Sequence, residues 1–377
     1  MLELIFYFFL AFALAFLSKK RTERLLQEKK QDEAYFFLLV ILLVLFAGLR
    51  TRYNDTITYI GSYRDNADTP DLKQLFNNFS FAIQDHPGFM LVNATLKSIG
   101  YDEHVFIFAY AAFTVSVYLH FLRKYSCDLS TSIFLFLANG YLFLMAGIKQ
   151  SAATAIALLA LTAAFNKQWA RFGIRLFIAS CFHPYVLLYA IVPLLLNRKP
   201  WGTTTYLLLI LSIVIGATFT FATSIMSRLS ELIGESYTAE ELQSGTGVSF
   251  FRFLFSALTI VVCLVFRRAL FDGTDIKQNV FFHLSLIGTS FMFLALFGNQ
   301  ILIGRIPQYF APASCITLTF ALSTISKTRR FFWLKPLILL AFFGFFLYEN
   351  VYLKTFWERY KAISIIELFD SLFSPLS

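Results

Sequence analysis

The sequence predicts an all-α integral membrane protein with about ten transmembrane helices and one pair of re-entrant half-helices. Of the 377 residues, 58% are hydrophobic and only 15% are charged, which is too apolar for a soluble globular domain. The net charge of +9 comes mostly from Lys and Arg in short loops between apolar runs. Cytoplasmic loops have this distribution, so the basic charge does not indicate a nucleic-acid partner.

The four cysteines are scattered along the chain and show no CxxC or other metal-ligand spacing. They are therefore predicted to be free, structural thiols. The sequence also lacks P-loop, GxGxxG, HExxH and GxSxG motifs. Neither a metal nor an organic cofactor is predicted, and nucleotide chemistry on the cytosolic side is unsupported.

The first apolar run, residues 2–17, is predicted to be a transmembrane helix whose start lies outside. A signal peptide carries its positive charge before the apolar run, whereas here Glu3 precedes the run and Lys19 and Lys20 follow it. Crossing the hydrocarbon core takes roughly 20 apolar residues, and about 17 to 25 are tolerated. Runs of this kind predict the further spans 34–49, 104–122, 131–147, 149–165, 202–222, 249–266, 279–297, 305–325 and 331–353.

The segment 172–196 is long enough to cross, but His183-Pro184 interrupts it near the middle. Proline lacks a backbone donor and disfavours a helical residue before it. If the segment crosses, later basic residues such as Arg267 and Lys327 fall outside. If it returns as two half-helices, they stay on the side of the earlier basic clusters. The positive-inside rule therefore favours a re-entrant pair.

This topology places two longer loops on the outer side of the membrane. The first, residues 50–103, contains Asp85-His-Pro-Gly-Phe89 before an apolar stretch, which predicts a short interfacial helix. The second, residues 223–248, carries four glutamates followed by Ser244-Gly-Thr-Gly247 and is predicted to be a mobile, solvated lid. Residues 1–353 are assigned to one polytopic membrane domain that includes both loops.

The C-terminal segment, residues 354–377, is assigned to a separate tail. Spacings of three and four residues place several apolar side chains on one helical face, while the polar residues mostly fall elsewhere. An amphipathic helix on the membrane surface is therefore predicted. Its apolar face consists of Ile365, Phe369, Leu372 and Phe373.

Polar residues predicted at the outer half of the membrane form the candidate site. Charged side chains in membrane segments are costly and usually face a cavity or pair with one another. The planar fork of arginine suits pyrophosphate, and lysine acts as a point charge. An anionic, lipid-linked substrate is therefore predicted. The residues of this set are Arg50, Arg52, Asp55, Lys149, Gln150, His183, Arg305 and Tyr309.

Several of these residues also have a purely structural interpretation. Arg50 and Arg52 can anchor a helix end at the lipid headgroups, and Lys149 can extend its amine from a turn to the membrane surface. His183, directly before a proline, can cap a kink. Arg305 is harder to explain without a function, because it lies in a nearly uncharged stretch.

Four short motifs follow one another from about residue 34 to 325. They are Ala47-Gly-Leu-Arg50 with Asp55 and Tyr59, Gly147-Ile-Lys-Gln-Ser151, Cys181-Phe-His-Pro184, and Arg305 with Tyr309-Phe310. This ordered set resembles the EpsG-like, Wzy-type bacterial polysaccharide polymerases. The chain departs from the family pattern where Lys149 replaces a usual Arg and where Asp85-His86 replaces an expected Glu.

The resemblance implies a GT-C-like membrane glycosyltransferase in the bacterial cytoplasmic membrane. It would transfer a growing glycan from undecaprenyl pyrophosphate to the non-reducing end of a lipid-linked repeat unit on the outer face. The implied partners are this lipid-linked oligosaccharide, membrane lipid and a chain-length regulator protein. No nucleotide sugar is needed.

Such a transfer requires cations for the leaving pyrophosphate and a general base for the acceptor hydroxyl. His183 is the first candidate for the base, and Asp55 is the second. The predicted cations are Arg50, Arg52, Lys149 and Arg305, and Gln150, Tyr309 and His86 complete the substrate-binding set.

Other functions stay open at this point. A flippase of the same lipid-linked oligosaccharide needs polar groups through both leaflets, and many transporters show paired repeats. Here the charged positions favour one face and no repeat is evident. An O-antigen ligase uses a similar donor with a different acceptor, and an acyltransferase is a more distant alternative.

Overall fold

The computed structural model describes residues 2–25, 31–65, 69–77, 82–232, 238–244, 246–353 and 360–373, which are nearly all helical. The first α-helices are α1 (Leu2–Leu25), α2 (Ala34–Gly48), α3 (Thr56–Arg64), α4 (Leu72–Asn77), α5 (Pro87–Ser98), α6 (Glu103–Tyr125), α7 (Leu129–Asn139), α8 (Tyr141–Ala146), α9 (Ile148–Phe165) and α10 (Trp169–Ser180). The later ones are α11 (Val192–Leu195), α12 (Thr203–Ala217), α13 (Phe219–Leu232), α14 (Ala239–Gln243), α15 (Phe250–Val265), α16 (Arg267–Phe271), α17 (Ile276–Leu294), α18 (Ala311–Ile325), α19 (Leu334–Leu347) and α20 (Ile365–Phe373).

Irregular helical turns and one small ribbon complete the fold. A two-stranded antiparallel ribbon pairs β1 (Arg50–Arg52) with β2 (Lys361–Ala362). The predicted all-α fold class is confirmed, with this ribbon added. The 3-10 turns are Ile83–Asp85, Pro184–Ile191 and Ile306–Phe310, and a π-helical turn follows α19 at Tyr348–Tyr352.

Three of the described helices are long and apolar enough to cross a membrane: Glu103–Tyr125, Ile148–Phe165 and Leu334–Tyr352. The pair α12 and α13 is a fourth if its two parts form one bent span. Shorter apolar helices include α2, α7 and α15. The protein is an integral membrane protein, and the larger number of about ten spans stays a prediction.

Helix α9 carries the site residues Lys149 and Gln150 at its start and is packed tightly by the rest of the bundle. Its alanines are buried; Ala152, Ala155 and Ala160 are each 0% exposed. Small side chains allow the backbones of lipid-embedded helices to approach closely. Helix α9 accordingly packs against α6, α10 and the 3-10 turn that follows α10. This packing fixes the position of the first turn of α9.

The predicted break in the segment 172–196 is present. Helix α10 ends at Ser180, and a 3-10 turn begins at Pro184 after His183. Proline fits there because it has no N–H to donate to a continuing helix. The turn after the break packs against both α10 and α9. The break is therefore confirmed, and the re-entrant topology stays a prediction.

The run 202–222, predicted as one span, is sharply bent instead. Helix α12 ends at Ala217 and α13 begins at Phe219, with an angle of 105° between them. The Thr218 hydroxyl donates to the backbone oxygen of Val214 at 2.8 Å. Such a bond competes with the backbone ladder and bends helices. The predicted run therefore consists of two helices, and their crossing of the membrane as one bent span stays a prediction.

Two other predicted spans are not single α-helices. The run 131–147 is divided at Gly140 into α7 and α8, and glycine lowers helix stability by about 1 kcal/mol relative to alanine. The run 305–325 begins with a 3-10 turn before α18, because Pro307 lacks an amide donor. The polar residues at its start are therefore arranged by a 3-10 turn rather than by an α-helix.

Part of the predicted acidic lid, residues 223–248, forms helices. Thr238 and Glu241 make a capping box at the start of α14, in which the Glu241 N–H donates to Thr238 Oγ1 at 3.1 Å. The Thr238 N–H donates in turn to the Glu241 carboxylate at 2.8 Å. Glu241 thus stabilises a helix N-terminus. Glu235 lies outside the described residues, and the mobility of the lid stays a prediction.

The C-terminal segment is joined to the end of α2, which the sequence does not predict. Strand β2 pairs with β1, and the Ile363 N–H donates to the Leu49 oxygen at 2.9 Å. The ring of Tyr360 stacks on Phe46 with 5.0 Å between centroids. The Tyr360 hydroxyl also donates to the Phe46 backbone oxygen at 2.8 Å. These contacts anchor the described part of the tail to the membrane domain.

Helix α20 has one buried apolar residue, Leu368, which is 3% exposed, and the helix lies against α6. Ile366 and Phe373 are 73% and 79% exposed. The helix therefore presents apolar side chains away from the protein. Its contact with a membrane surface and the domain boundary at 353 stay predictions, and 354–359 and 374–377 lie outside the described residues.

A buried carboxylate connects α1, the loop before α7, and α19. Asp128 is 5% exposed and accepts from Lys19 Nζ at 2.8 Å and from Lys335 Nζ at 2.7 Å. Burial alone would raise the pKa of Asp128, but the two ammonium groups and the Ser130 hydroxyl hold it well below its usual value. The carboxylate is therefore ionised and ties the first and last long helices to the bundle.

Candidate functional site

Lys149 and Gln150 lie in the first turn of α9. The Gln150 side-chain amide donates to the backbone oxygen of Arg305 at 2.7 Å. The Lys149 ammonium lies 5.1 Å from the ring centroid of Phe89 in α5, which is within cation–π range. The start of α9 therefore contacts both the segment before α18 and the first long loop.

His183 lies at the break after α10, with an extended backbone. Its Nδ1 atom is 2.6 Å from the hydroxyl oxygen of Tyr309. Tyr309 is 1% exposed, and its backbone oxygen accepts a hydrogen bond from the Tyr189 hydroxyl at 2.7 Å. Tyr309 therefore holds the imidazole in place. If Nδ1 carries the hydrogen of this bond, Nε2 is free of hydrogen and can accept a proton; if the Tyr309 hydroxyl donates, Nδ1 is already used as the acceptor.

His86 lies beside His183, with 5.6 Å between the ring centroids. Its backbone is left-handed, with φ 52°, a conformation that is uncommon for residues other than glycine and clusters at functional sites. Its Nδ1 atom is buried and has no hydrogen-bond partner among the described residues. Burial lowers the pKa of His86 to about 4, and Lys149 adds to this effect. The imidazole is therefore neutral at pH 7.

The turn that carries His86 is joined to the turn that carries His183. The Gly88 N–H donates to the Cys181 backbone oxygen at 2.9 Å. A Cβ atom at Gly88 would lie 2.9 Å from the Phe182 ring. The close approach of the two turns therefore requires glycine.

Asp55 and Arg305 form an ion pair, with 3.1 Å between Oδ2 and Nη2. Their side chains are 40% and 44% exposed, so the pair lies at a solvent-accessible edge of the site. Tyr59 lies next to it. Its pKa is raised to about 12, chiefly by burial and also by Asp55, while Arg305 opposes the rise. Residues from the first loop and from the start of the predicted span 305–325 thus meet here.

Arg50 has a different position from the one its predicted role requires. Its side chain is buried, with the residue 2% exposed, and its nitrogen atoms donate inside the protein. Nη2 donates to the Met145 backbone oxygen at 2.9 Å, Nε to Thr56 Oγ1 at 3.2 Å, and Nη1 to the Ala47 backbone oxygen. This geometry favours bracing of the end of α2 over the predicted contact with pyrophosphate.

Arg52 is exposed on β1, where its strand partner is Lys361. The structure therefore divides the predicted set of site residues. Arg50 is buried, and Arg52 lies on the ribbon. The remaining residues converge and are called the histidine cluster below: Asp55, His86, Lys149, Gln150, His183, Arg305 and Tyr309.

A cavity of about 490 Å³ lies beside the histidine cluster, between α7, α8, α15, α18 and α19. Arg305 and Gln308 line it, so the segment before α18 borders both the cluster and the cavity. The Oε1 atom of Gln308 is buried and has no hydrogen-bond partner in the part of the chain that the structure describes. This cavity is the space available to a ligand next to the cluster.

Two charged residues of the cavity wall are missing from the sequence-based site. Arg252 in α15 donates through Nε to the carboxylate of Glu349 in the turn after α19, and both line the cavity. Each lies inside an apolar run predicted as a span. A charged residue inside a predicted span is a signal for function. This signal could have identified Arg252 and Glu349 from the sequence. Across the described ranges, no group of three or more His, Cys, Asp or Glu side chains is placed to hold a metal ion.

Comparison with protein families gives a match to the EpsG family over residues 33–361. The chain belongs to the EpsG family. Neither a curated protein nor a solved structure matches it. As an EpsG family member, it is a polymerase-type membrane protein associated with polysaccharide biosynthesis.

The match confirms the family resemblance that the four motifs indicate. It begins just before α2 and ends at Lys361 in β2, so it includes every residue of the histidine cluster and of the cavity wall. Helix α1 and helix α20 lie outside the matched range. The site therefore lies entirely in the part of the chain that defines the family.

Proposed function

We propose that the protein is a membrane glycosyltransferase that extends a polysaccharide on the outer face of the bacterial cytoplasmic membrane. It transfers the growing glycan from undecaprenyl pyrophosphate to the non-reducing end of a lipid-linked repeat unit. A chain-length regulator is its proposed protein partner. About ten spans in a GT-C-like arrangement belong to the same proposal.

The observation that carries the proposal is the histidine cluster. It brings a candidate base, His183, and two cations, Lys149 and Arg305, together from three distant parts of the chain. Of the three groups, Arg305 also lines a cavity large enough for a ligand. This combination suits a reaction that removes one proton and releases one strongly anionic group.

The proposed reaction uses the base and the cations at different atoms. The acceptor hydroxyl oxygen attacks the anomeric carbon of the donor glycan and forms the new C–O bond. The bond between that carbon and the pyrophosphate oxygen breaks, and the pyrophosphate leaves with the electron pair. The hydroxyl proton passes to the base. Fixed positive charge from Arg305 and Lys149 stabilises the charge that develops on the leaving oxygen.

His183 is the first candidate for the base. When its Nδ1–H donates to the Tyr309 oxygen, Nε2 carries the lone pair and can accept the proton. Asp55 is the second candidate, and its carboxylate already accepts a hydrogen bond from Arg305 at 3.1 Å. Tyr309 is then a positioning residue for the imidazole.

The test is a polymerisation assay with purified protein in lipid nanodiscs and one defined undecaprenyl-pyrophosphate-linked repeat unit. Wild-type protein should give a ladder of products. His183→Gln should lower turnover by roughly 10²- to 10⁴-fold, and Tyr309→Phe by about tenfold, because it removes one orienting hydrogen bond. The matched control is His120→Gln, an exposed histidine on α6, which should keep the wild-type rate.

Three outcomes would contradict the proposal in different ways. A near-wild-type rate for His183→Gln would move the base to Asp55. Directional transport of the lipid-linked unit across vesicles without a ladder would identify a flippase. Transfer that occurs only to an added acceptor of another kind would identify a ligase.

A further inference from the structure

Helices α15 and α19 both border the cavity and meet each other through side chains. Phe255 stacks on Phe345 with 4.3 Å between ring centroids, and it contacts Phe342 edge-on at 5.1 Å. Phe251 and Tyr348 lie 6.1 Å apart beyond them. The Arg252–Glu349 ion pair crosses the same seam. We call this set of contacts the α15–α19 seam.

The backbones of the two helices are not closely packed against each other in the described chain, although each packs closely elsewhere. Helix α15 packs on α17 and α18, and α19 packs on α7. Their other sides are apolar and exposed: Val261 is 50% exposed and Leu340 is 66% exposed. In a membrane protein, such sides face lipid. The seam is therefore a thin wall of side chains between the cavity and the bilayer.

The cavity is lined by both polar and apolar side chains. Asn54, Gln300 and Arg305 line it from loops and turns. Leu135 and Leu318 line it from the middle of α7 and α18. This mixed lining suits a ligand that has an anionic head and a hydrocarbon chain.

The cavity is too small to hold a whole polyprenyl chain, so the chain needs a way out. About 490 Å³ is the size of a site for a drug-sized ligand. A long polyprenyl chain is much larger, so most of it must extend through a wall of the cavity into the bilayer. The two sides of the seam are joined by side chains, which can rotate away.

The end of α19 has a geometry that suits movement of the seam. The Leu353 N–H donates to the Tyr348 backbone oxygen at 3.0 Å, which closes a π-helical turn over Tyr348–Tyr352. Single π turns within helices often mark functional sites. Glu349 and Asn350 lie in this turn, and both line the cavity.

We infer that the α15–α19 seam is a lateral portal for the polyprenyl chain of a lipid-linked pyrophosphate, and that Arg252 exchanges Glu349 for the pyrophosphate when this ligand binds. The inference rests on the proposed function for the lipid-linked nature of the substrate. Both partners of Arg252 are anionic oxygen groups, and guanidinium binds phosphate oxygens with strong, charge-assisted hydrogen bonds. Exchange therefore replaces one anion by another.

The first test uses a polyprenyl pyrophosphate without sugars that carries a photoreactive group on its hydrocarbon chain. Illumination with the full-length protein in nanodiscs should label peptides from α15 and α19. Arg252→Gln should reduce this labelling about tenfold, the factor expected for loss of one charge-assisted contact. Glu349→Gln should retain or increase it, because it removes the competing carboxylate.

The second test closes the portal reversibly. In a background with Cys127 replaced by Ser, Phe251→Cys and Tyr348→Cys are joined by a short thiol-specific linker that a reductant cleaves. Linking should reduce labelling at least tenfold, and reduction should restore it. The matched control joins Phe9→Cys to Phe343→Cys, whose native rings are 5.2 Å apart on the other side of α19; that link should leave labelling unchanged.

The outcomes separate the portal from the proposed function. Labelling of other helices, or labelling that the Phe251–Tyr348 link does not reduce, overturns the portal even if the ladder of glycan products forms. Labelling of α15 and α19 that the link blocks supports the portal, and the absence of a ladder would then overturn the proposed function alone.

Discussion

At the scale of single residues, the surroundings of each arginine determine what it can bind. Arg50 donates to two backbone oxygens and one hydroxyl and is shielded from solvent. Arg305 has a half-exposed side chain and one carboxylate partner, Asp55. An exposed ion pair of this kind contributes about 1 kcal/mol or less to stability. Arg305 can therefore exchange Asp55 for a substrate phosphate with little effect on the fold.

Arg305→Ala should abolish polymer formation while the protein remains folded and inserted in the membrane. Arg305→Lys should restore little activity, because an ammonium cannot make a two-pronged contact with pyrophosphate. The measurement is product length by gel electrophoresis at matched expression, with Arg198→Ala in an exposed loop as the control. Near-normal chain length from well-expressed Arg305→Ala would remove Arg305 from the reaction.

His86 should contribute to the pH dependence of stability. Its pKa is about 4 in the folded protein because of burial and the nearby Lys149, against about 6.5 for an exposed histidine. Between these values the unfolded chain binds more protons, so this contribution is present above about pH 6.5 and is lost as the pH falls towards 4.

The measurement for His86 is the melting temperature in nanodiscs from pH 7.5 to pH 4.5. The melting temperature of the wild-type protein should fall more steeply than that of His86→Gln. His104→Gln, also in the first half of the chain, is the control and should follow the wild-type curve. Parallel curves for wild type and His86→Gln would show that His86 titrates normally.

At the scale of elements, the site residues lie where helices are interrupted. The 3-10 turn after His183 and the one after Arg305 place Tyr309 against the imidazole. Prolines in the sequence predict the first of these interruptions, since Pro184 cannot continue a helix. The bend at Thr218 is not predicted, because a threonine in an apolar run is compatible with a straight helix as well as with a bent one.

The β1–β2 ribbon is the element that the sequence could least reveal. Strand β2 has only two residues, Lys361 and Ala362, and so short a segment carries no alternation of polar and apolar side chains. Its pairing with Arg50 is decided by contacts distant in sequence, such as the stacking of Tyr360 on Phe46. Propensity and hydropathy act over neighbouring residues and do not report such contacts.

Tyr360 should be important for stability through this ribbon. Tyr360→Phe removes the hydrogen bond to the Phe46 oxygen and should cost about 1 kcal/mol. Tyr360→Ala also removes the stacked ring and should cost about 2–4 kcal/mol. The measurement is the melting temperature of the full-length variants, with Tyr206→Ala, an exposed tyrosine on α12, as the control. Equal melting temperatures for wild type and Tyr360→Ala would show that the ribbon adds no stability.

At the scale of the whole molecule, apolar runs identify most helices, but they do not reveal which helices meet. Arg252 and Glu349 are 97 positions apart, and nothing in either run indicates that they form a pair. Asp55 and Arg305 are 250 positions apart, and they could be grouped only because the topology puts both at one membrane boundary. The site was therefore predictable in part, through its boundary position, while the cavity wall was not.

The topology has a direct test on either side of the segment 172–196. If the segment is re-entrant, cysteines introduced at Lys167 and at Lys199 both face the cytoplasm and both escape an impermeant thiol reagent in intact spheroplasts. Permeabilised cells provide the control, in which both should be labelled. Strong labelling at position 199 with none at 167 would show that the segment crosses, and the later spans would be reversed.

The buried Asp128 has a consequence for biogenesis. Its second ammonium partner, Lys335, is synthesised 207 residues later, so a nascent chain that has made only the first helices holds this carboxylate with Lys19 alone. A buried charge with incomplete neutralisation is strongly unfavourable. We therefore expect the amino-terminal helices to gain their final arrangement only after α19 has been synthesised and inserted. Helix α19, the last long helix to be synthesised, would then fix the position of α1 through the shared contact with Asp128.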